Sequence, residues 1–277
     1  CGPLETRGDY VFAVKHLAGQ KVVDLLPAFL SDILSSLSFP KNMRWADHET
    51  RFVRPVHWLV ALFDDQVVPV EFNGVKSGNQ TRGHRFLTDD KMTVIPCAND
   101  YEKVMTELFV MVNQLERKVL IKRQVEELAA KEGGHAEIKE DLLEEVTYLV
   151  EWPTALCGKF EDRFLALPKE CIITPMREHQ RYFPVLKEDG TLLNKFITVR
   201  NGGSQFLDGV AHGNERVLRA RLSDAELLET RLGDDLTEDV VELLLFEHHG
   251  GGVAGFVLAH GDVVHLGHAL AVETVEI

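Results

Sequence analysis

Two dipeptides, Asn73-Gly74 and Asp189-Gly190, limit what this chain can fold into more than any other feature. Each favours a tight turn of the kind that joins antiparallel strands. Runs rich in β-branched and aromatic residues lie beside them: 55–63 and 67–72 near the first, joined at Asp64-Asp65, and 182–186 and 195–199 around the second. Between these β-rich regions, residues 101–131 repeat apolar side chains at helical spacing and stop at Gly133-Gly134, predicting one long helix or two. The pattern predicts an α+β protein of two mixed units with mainly antiparallel strands, and argues against a doubly wound parallel sheet. Strands are expected at 9–15 and 93–96, and helices at 22–37, 210–230 and 236–246. Residues 77–83 read as a loop, 142–150 as helix or buried strand, and 168–180 as a helix interrupted near Pro175. The expected division is an N-terminal α+β unit over 1–97, a helical plus α+β unit over 98–222, and an acidic, mostly helical tail over 223–277.

The formal charge of −14 argues at first against a polyanionic partner. Its distribution weakens that objection. Residues 223–277 hold twelve acids and one arginine, whereas residues 169–222 hold nine basic and six acidic side chains. A locally basic face on an acidic protein is therefore allowed. No apolar run is long enough to span a bilayer, and residues 1–20 do not read as a signal peptide. Cys1, Cys97, Cys157 and Cys171 form no C-x-x-C pair and read as reduced thiols of a cytosolic protein. A start at Cys1 rather than Met is expected of a piece of a longer chain.

Three polar constellations compete for a function. Arg44, Arg51, Arg54, Lys76, Arg82, His84 and Arg85 form a basic set suited to phosphates, or a rim of surface arginines paired with nearby acids. Arg177, His179, Gln180, Arg181 and Tyr182 form the second, in I-T-P-M-R-E-H-Q-R-Y-F at 173–183. Its arginines suit phosphates, its His and Gln suit base edges or ribose, and Tyr182 and Phe183 offer faces on which a base could stack. The competing reading is a buried polar network that locks helix to strand. The third, G-N-E-R-V-L-R-A-R-L-S-D-A-E at 213–226, reads as structural, with Glu215 and Arg219 as an i,i+4 pair. The histidines at 248, 249, 260, 265 and 268 lack H-E-x-x-H or His-Asp spacing, so no metal site is expected. Cys157 and Cys171 lack an evident activating partner, and no catalytic residue is assigned.

Several segments together resemble the β subunit of bacterial-type glycyl-tRNA synthetase. They are F-P-K-N-M-R-W at 39–45, R-F-V-R-P-V-H-W-L-V-A-L at 51–62, G-V-K-S-G-N-Q-T-R-G-H-R-F-L at 74–87 and L-L-E-E-V-T-Y-L-V-E-W-P at 142–153, with the two motifs at 173–183 and 213–225. They occur in the family's order over roughly residues 8–230. Beyond that the chain departs from the family pattern, with glycines at 250, 251, 252, 255, 261 and 267.

The resemblance implies a cytoplasmic enzyme of two α and two β chains that ligates glycine to tRNA(Gly) at the expense of ATP. It places the catalytic site, with ATP and Mg, on the α subunit and leaves this chain without a cofactor. It makes the α subunit and tRNA(Gly) the partners, with no membrane and no DNA. It also makes the middle of this chain similar to the B3/4 module of phenylalanyl-tRNA synthetase. Arg44, Arg51, Arg54, Arg82, Arg85, Arg177, His179, Gln180, Arg181 and Tyr182 become candidate tRNA contacts. A different-class alternative is a hydrolytic editing module acting on mischarged tRNA. Glycine weakens it, because larger amino acids are excluded sterically without a second sieve. Arg177 and Arg216 also mimic the phosphate-gripping arginines of a class II synthetase core, though the segment between them is short for the intervening sheet.

Overall fold

The structure is a computed structural model that describes residues 4–8, 10–13, 19–232, 256–257 and 263–264 of the 277. The expected helix at 236–246 and the histidines at 248, 249, 260, 265 and 268 lie outside the described residues. The chain divides into two compact units. The first gathers Cys1–Arg123, Leu143–Thr154 and Val199–Gln205; the second gathers Gln124–Leu142, Ala155–Thr198 and Phe206–Ile277.

The first unit opens with an antiparallel hairpin, β1 (Leu4–Arg7) and β2 (Tyr10–Ala13), in place of the single strand expected over 9–15. Helix α1 (Val22–Ser36) follows, and Pro27 removes one backbone bond without ending it. A set of short strands comes next: β3 (Leu59–Val60), β4 (Leu62–Phe63), β5 (Gln66–Val67), β6 (Glu71–Phe72), β7 (Val75–Gly78), β8 (Gln80–Thr81) and β9 (Thr93–Val94). The two predicted turns of this region hold. β4 pairs antiparallel with β5 across Asp64-Asp65, and β6 with β7 across Asn73-Gly74. Asp64, Asn73 and Gly74 all take positive φ there. Two details differ from expectation. β3 pairs parallel with β7, and residues 77–83, read as a loop, carry the end of β7 and all of β8. Small polar side chains hide this pairing, because the ladder is made by backbone groups: Ala61, next to β3, donates its N–H to Gly78 O at 3.2 Å.

Residues 101–131 form two helices, α2 (Tyr101–Glu107) and α3 (Gln114–Lys131). The break has a local cause. Phe109 sits at φ 58, and Asn113 caps α3 by accepting the N–H groups of Leu115 and Glu116 at 3.0 and 3.3 Å. Its own amide donates to Glu116 at 3.2 Å, so the pair forms a reciprocal cap.

The second unit is built on a four-stranded sheet. Strand β10 (His135–Ala136) opens it; helix α4 (Glu140–Leu149), most of which falls in the first unit, settles residues 142–149 as helix. Strand β11 (Pro153–Lys159), helix α5 (Lys169–Thr174), strands β12 (Phe183–Leu186) and β13 (Leu192–Asn201) and helix α6 (Leu207–Leu232) complete it. The sheet order is β10-β12-β13-β11. β12 pairs antiparallel with β13 across the Asp189-Gly190 turn, and antiparallel with β10. A short antiparallel hairpin of β14 (Phe256–Val257) and β15 (Val263–Val264) is also described. Most described pairings are antiparallel, in keeping with the turns.

Pro175 explains the interruption in 168–180. It has no N–H to continue the ladder of α5, and the chain widens into a π-helical turn over Pro175–His179, closed by Gln180 N–H on Pro175 O at 3.2 Å. Arg181 then adopts φ 58, which reverses the chain into β12. Beneath this turn Phe160, Phe164, Ile172, Met176, Phe196, Leu218 and Leu222 form one core. Gly158 is required by that core: a Cβ there would lie 2.4 Å from the Phe196 ring. Gly158→Ala is expected to destabilise the chain by about 1–3 kcal/mol through overpacking. Gly213→Ala, on a helix position with open space, is expected to stabilise by up to about 1 kcal/mol. Urea unfolding of the two variants checks the opposite signs.

Candidate functional site

The motif at 173–183 turns most of its polar groups inward. The Arg177 side chain is 12% exposed and pairs with Glu137 at 3.5 Å. Arg177 Nε and one Glu137 carboxylate oxygen have no hydrogen-bond partner, so the pair is held by charge more than by geometry. His179 Nδ1 lies 3.2 Å from a guanidinium nitrogen of Arg221 on α6. Tyr182 is 2% exposed and its ring stacks on Phe196 with centroids 4.5 Å apart. Its hydroxyl donates to Asn214 Oδ1 at 2.8 Å, and the Asn214 amide donates to Val210 O at 2.9 Å. Gln180 Oε1 stands 3.5 Å from the same hydroxyl. Burial pushes the Tyr182 phenol up to about 12, a rise that nearby Arg221 only partly opposes. Arg181 is half-buried and donates to Glu178 O. Tyr182 and Phe183 thus offer no stacking face: their rings belong to the core.

The basic set of the first unit behaves differently. Arg44, Arg51, Arg54, Lys76 and Arg85 are exposed. Arg51 reaches Asn42 Oδ1 at 3.4 Å, and Arg85 lies over the Phe86 ring at 5.6 Å. Arg82 is engaged three ways, with Asp90 at 2.5 Å, Met92 sulfur at 3.4 Å and the Trp58 ring at 5.7 Å. His84 is not part of a charged surface. It is 1% exposed, and its Nδ1 accepts the Phe86 N–H at 3.2 Å, which leaves Nε2 to donate to Asn201 Oδ1 at 3.1 Å. That one oxygen also accepts the N–H groups of Glu151 and Trp152 at 2.9 and 3.0 Å. Asn201 is a residue that sequence reasoning misses, because an isolated Asn gives no signal. Gly83 lets this turn close: a Cβ there would lie 2.7 Å from both the Cβ and carbonyl oxygen of Leu108, to which His84 N–H donates at 2.9 Å.

In the third constellation, the expected Glu215–Arg219 pair is replaced by contacts to the sheet side. Glu215 accepts the Lys159 N–H at 3.0 Å and lies 3.8 Å from His212, while Arg219 pairs with Glu161. A strand-end N–H offers a charged acceptor more than a solvated i,i+4 arginine does. Glu132, Cys157, Gly158, Lys159, Lys195, Asp208, Ala211, His212 and Glu215 line a pocket of about 290 Å³. Lys195 and Glu132 pair within it. The Cys157 thiol is pushed up to about 11, first by burial and then by Glu132, with Lys195 acting in the opposite direction. It stays protonated at neutral pH and is not an activated nucleophile.

A family model described as glycyl-tRNA synthetase beta subunit matches residues 3–239. The chain belongs to this family. It is similar to the glycine–tRNA ligase beta subunit of Moorella thermoacetica, 52% identical over 218 residues, which is 79% of this chain and 31% of that protein. The Bacillus subtilis beta subunit is 45% identical over 254 residues, 90% of this chain and 37% of that protein. That of Listeria monocytogenes is 48% identical over 218 residues, 79% of this chain and 31% of that protein. The chain thus spans about a third of the length of these relatives. Within this beta-subunit family chain, Arg177 is committed to Glu137 and Arg216 is exposed on α6, an arrangement unlike the paired phosphate grips of a class II core. No described helix is long and apolar enough to cross a membrane. No cluster of metal-ligating side chains occurs among the described residues.

The raised thiol makes a pH prediction. Because the protonated form is favoured below about 11, alkylation of Cys157 by iodoacetamide should rise about tenfold per pH unit from pH 8 to 10. Lys195→Met removes the one opposing charge and should slow it further. Mass spectrometry of the Cys157 peptide checks both, and a rate plateau below pH 9 would contradict the burial argument.

Proposed function

We propose that this chain is the part of a glycyl-tRNA synthetase beta subunit that binds tRNA(Gly) and docks the alpha subunit. It supports ATP-dependent ligation of glycine without carrying the catalytic site. The observation that carries this reading is the family match over residues 3–239, with relatives near half identity. ATP and Mg act on the alpha subunit, and the assembly is a cytoplasmic heterotetramer. The B3/4-like unit is read over residues 98–222, and it is the motifs there that support it. A thiol-based editing hydrolase is disfavoured, because the thiol of the pocket is held protonated.

The tRNA contacts fall to the exposed arginines Arg44, Arg51, Arg54 and Arg85 of the first unit. Their guanidinium groups can reach phosphate without first breaking a buried pair, and phosphate contacts need no base edge. Arg177, His179, Gln180, Arg181 and Tyr182 are given instead to packing inside the second unit, around its π-helical turn.

Replacing Arg44, Arg51 or Arg54 with Ala in the full beta chain is expected to weaken tRNA binding by about 1.5–3 kcal/mol each, the range for hydrogen bonds to charged groups. The slope of log affinity against log salt should fall by roughly 0.7–0.9 for each phosphate no longer neutralised. Glycyl-adenylate formation by the alpha subunit should not change. Filter binding across a salt series and a pyrophosphate-exchange assay check both. Unaltered tRNA binding in all three variants would overturn the assignment of these residues.

A further inference from the structure

Helix α1 carries an apolar stripe that the described protein leaves uncovered. No residue of the helix is buried. Val23, Leu26, Leu30 and Leu34 are half-buried on one side. Beside them Val22, Leu25, Phe29, Ile33 and, just past the helix, Leu37 recur at steps of three or four residues, and all are exposed. Leu25 is 49% exposed and Phe29 60%. A run at this spacing follows one face of a helix of about 22 Å. Single exposed apolar residues need no explanation, but an aligned row on one element marks an interaction surface.

We propose that this stripe is the seat of a segment of the same beta polypeptide lying outside the 277 residues, one with an apolar ridge bordered by Lys or Arg. Three observations select that occupant. First, the relatives are about three times as long as the match, so roughly two-thirds of the family's chain is available to cover it. Second, the stripe offers five exposed apolar side chains along one helix, well under the roughly 20–30 residues a side of a stable complex between separate chains. Covalent connection removes that requirement, because the effective concentration of a tethered segment reaches the millimolar range. This disfavours a second copy held by α1 alone. Third, the helix carries Asp24 and Asp32 and no base, with Asp32 one turn from Phe29, so a basic border on the occupant is complementary.

Hydroxyl-radical footprinting reads the exposure of Phe29 and Leu25 directly. The 277-residue chain sets the unprotected rate, and Phe164 and Phe183, both 0% exposed, set the floor. In the full-length beta chain, without alpha subunit, Phe29 and Leu25 should oxidise at least fivefold more slowly than in the 277-residue chain. Phe29→Asp in the full-length chain should restore Leu25 oxidation while Phe164 stays at the floor, which shows the fold intact. Should that variant misfold, the wild-type comparison still decides. Equal Phe29 oxidation in both chains would overturn the proposal. So would protection that appears only on adding alpha subunit, or only at rising protein concentration, which would assign the stripe to the other subunit or to a second copy.

Discussion

The second unit depends on how it buries one phenol. Tyr182 must leave a π-helical turn, stack on Phe196 and still satisfy its hydroxyl, which it does by donating to Asn214 of α6. A buried hydroxyl without a partner costs more than the bond itself contributes, so this contact fixes the position of α6 against the turn. Much follows from that placement. Met176 and Leu218 close on the same core, Arg221 comes within reach of His179, and Glu215 faces the Lys159 backbone. Pro175 is the source of the geometry, since the missing N–H widens the turn that delivers Tyr182 inward.

The first unit uses polar groups in the same way. Asn201 Oδ1 gathers three N–H donors, two from the backbone and one from His84. A single acceptor serving three donors leaves little freedom for the turn beginning at Gly83. The residues left for an external partner are therefore those that the packing does not consume, chiefly the arginines at 44, 51, 54 and 85. Division of labour between inward and outward polar groups, more than net charge, makes an acidic chain a candidate RNA binder.

Much of the fold is legible in the sequence. Asn73-Gly74 and Asp189-Gly190 mark two antiparallel pairs, and apolar periodicity marks α1, α3 and α6. The β-rich runs 55–63 and 67–72 are legible, but their division into two-residue strands and the strand β8 are not, because backbone ladders that short leave no side-chain period to read. The direction of polar side chains is the larger omission. Arg177, Tyr182 and His84 are legible as residue types suited to RNA, yet their partners Glu137, Asn214 and Asn201 lie far away in sequence. Composition reveals what a side chain can bind; only packing reveals what it already holds. The family itself is legible, since the motifs at 39–45, 51–62, 74–87 and 142–153 lie inside the matched span.

The central claim is that the 173–183 motif is an internal scaffold and that tRNA contact lies on exposed arginines elsewhere. Tyr182→Phe in the full beta chain tests it most directly, because it deletes only the hydroxyl that Asn214 accepts. The account predicts a stability loss of about 1–2 kcal/mol in urea unfolding, with tRNA affinity and its salt slope unchanged at temperatures where the variant is folded. Unchanged stability together with weakened tRNA binding would place Tyr182 at the RNA surface and contradict the account.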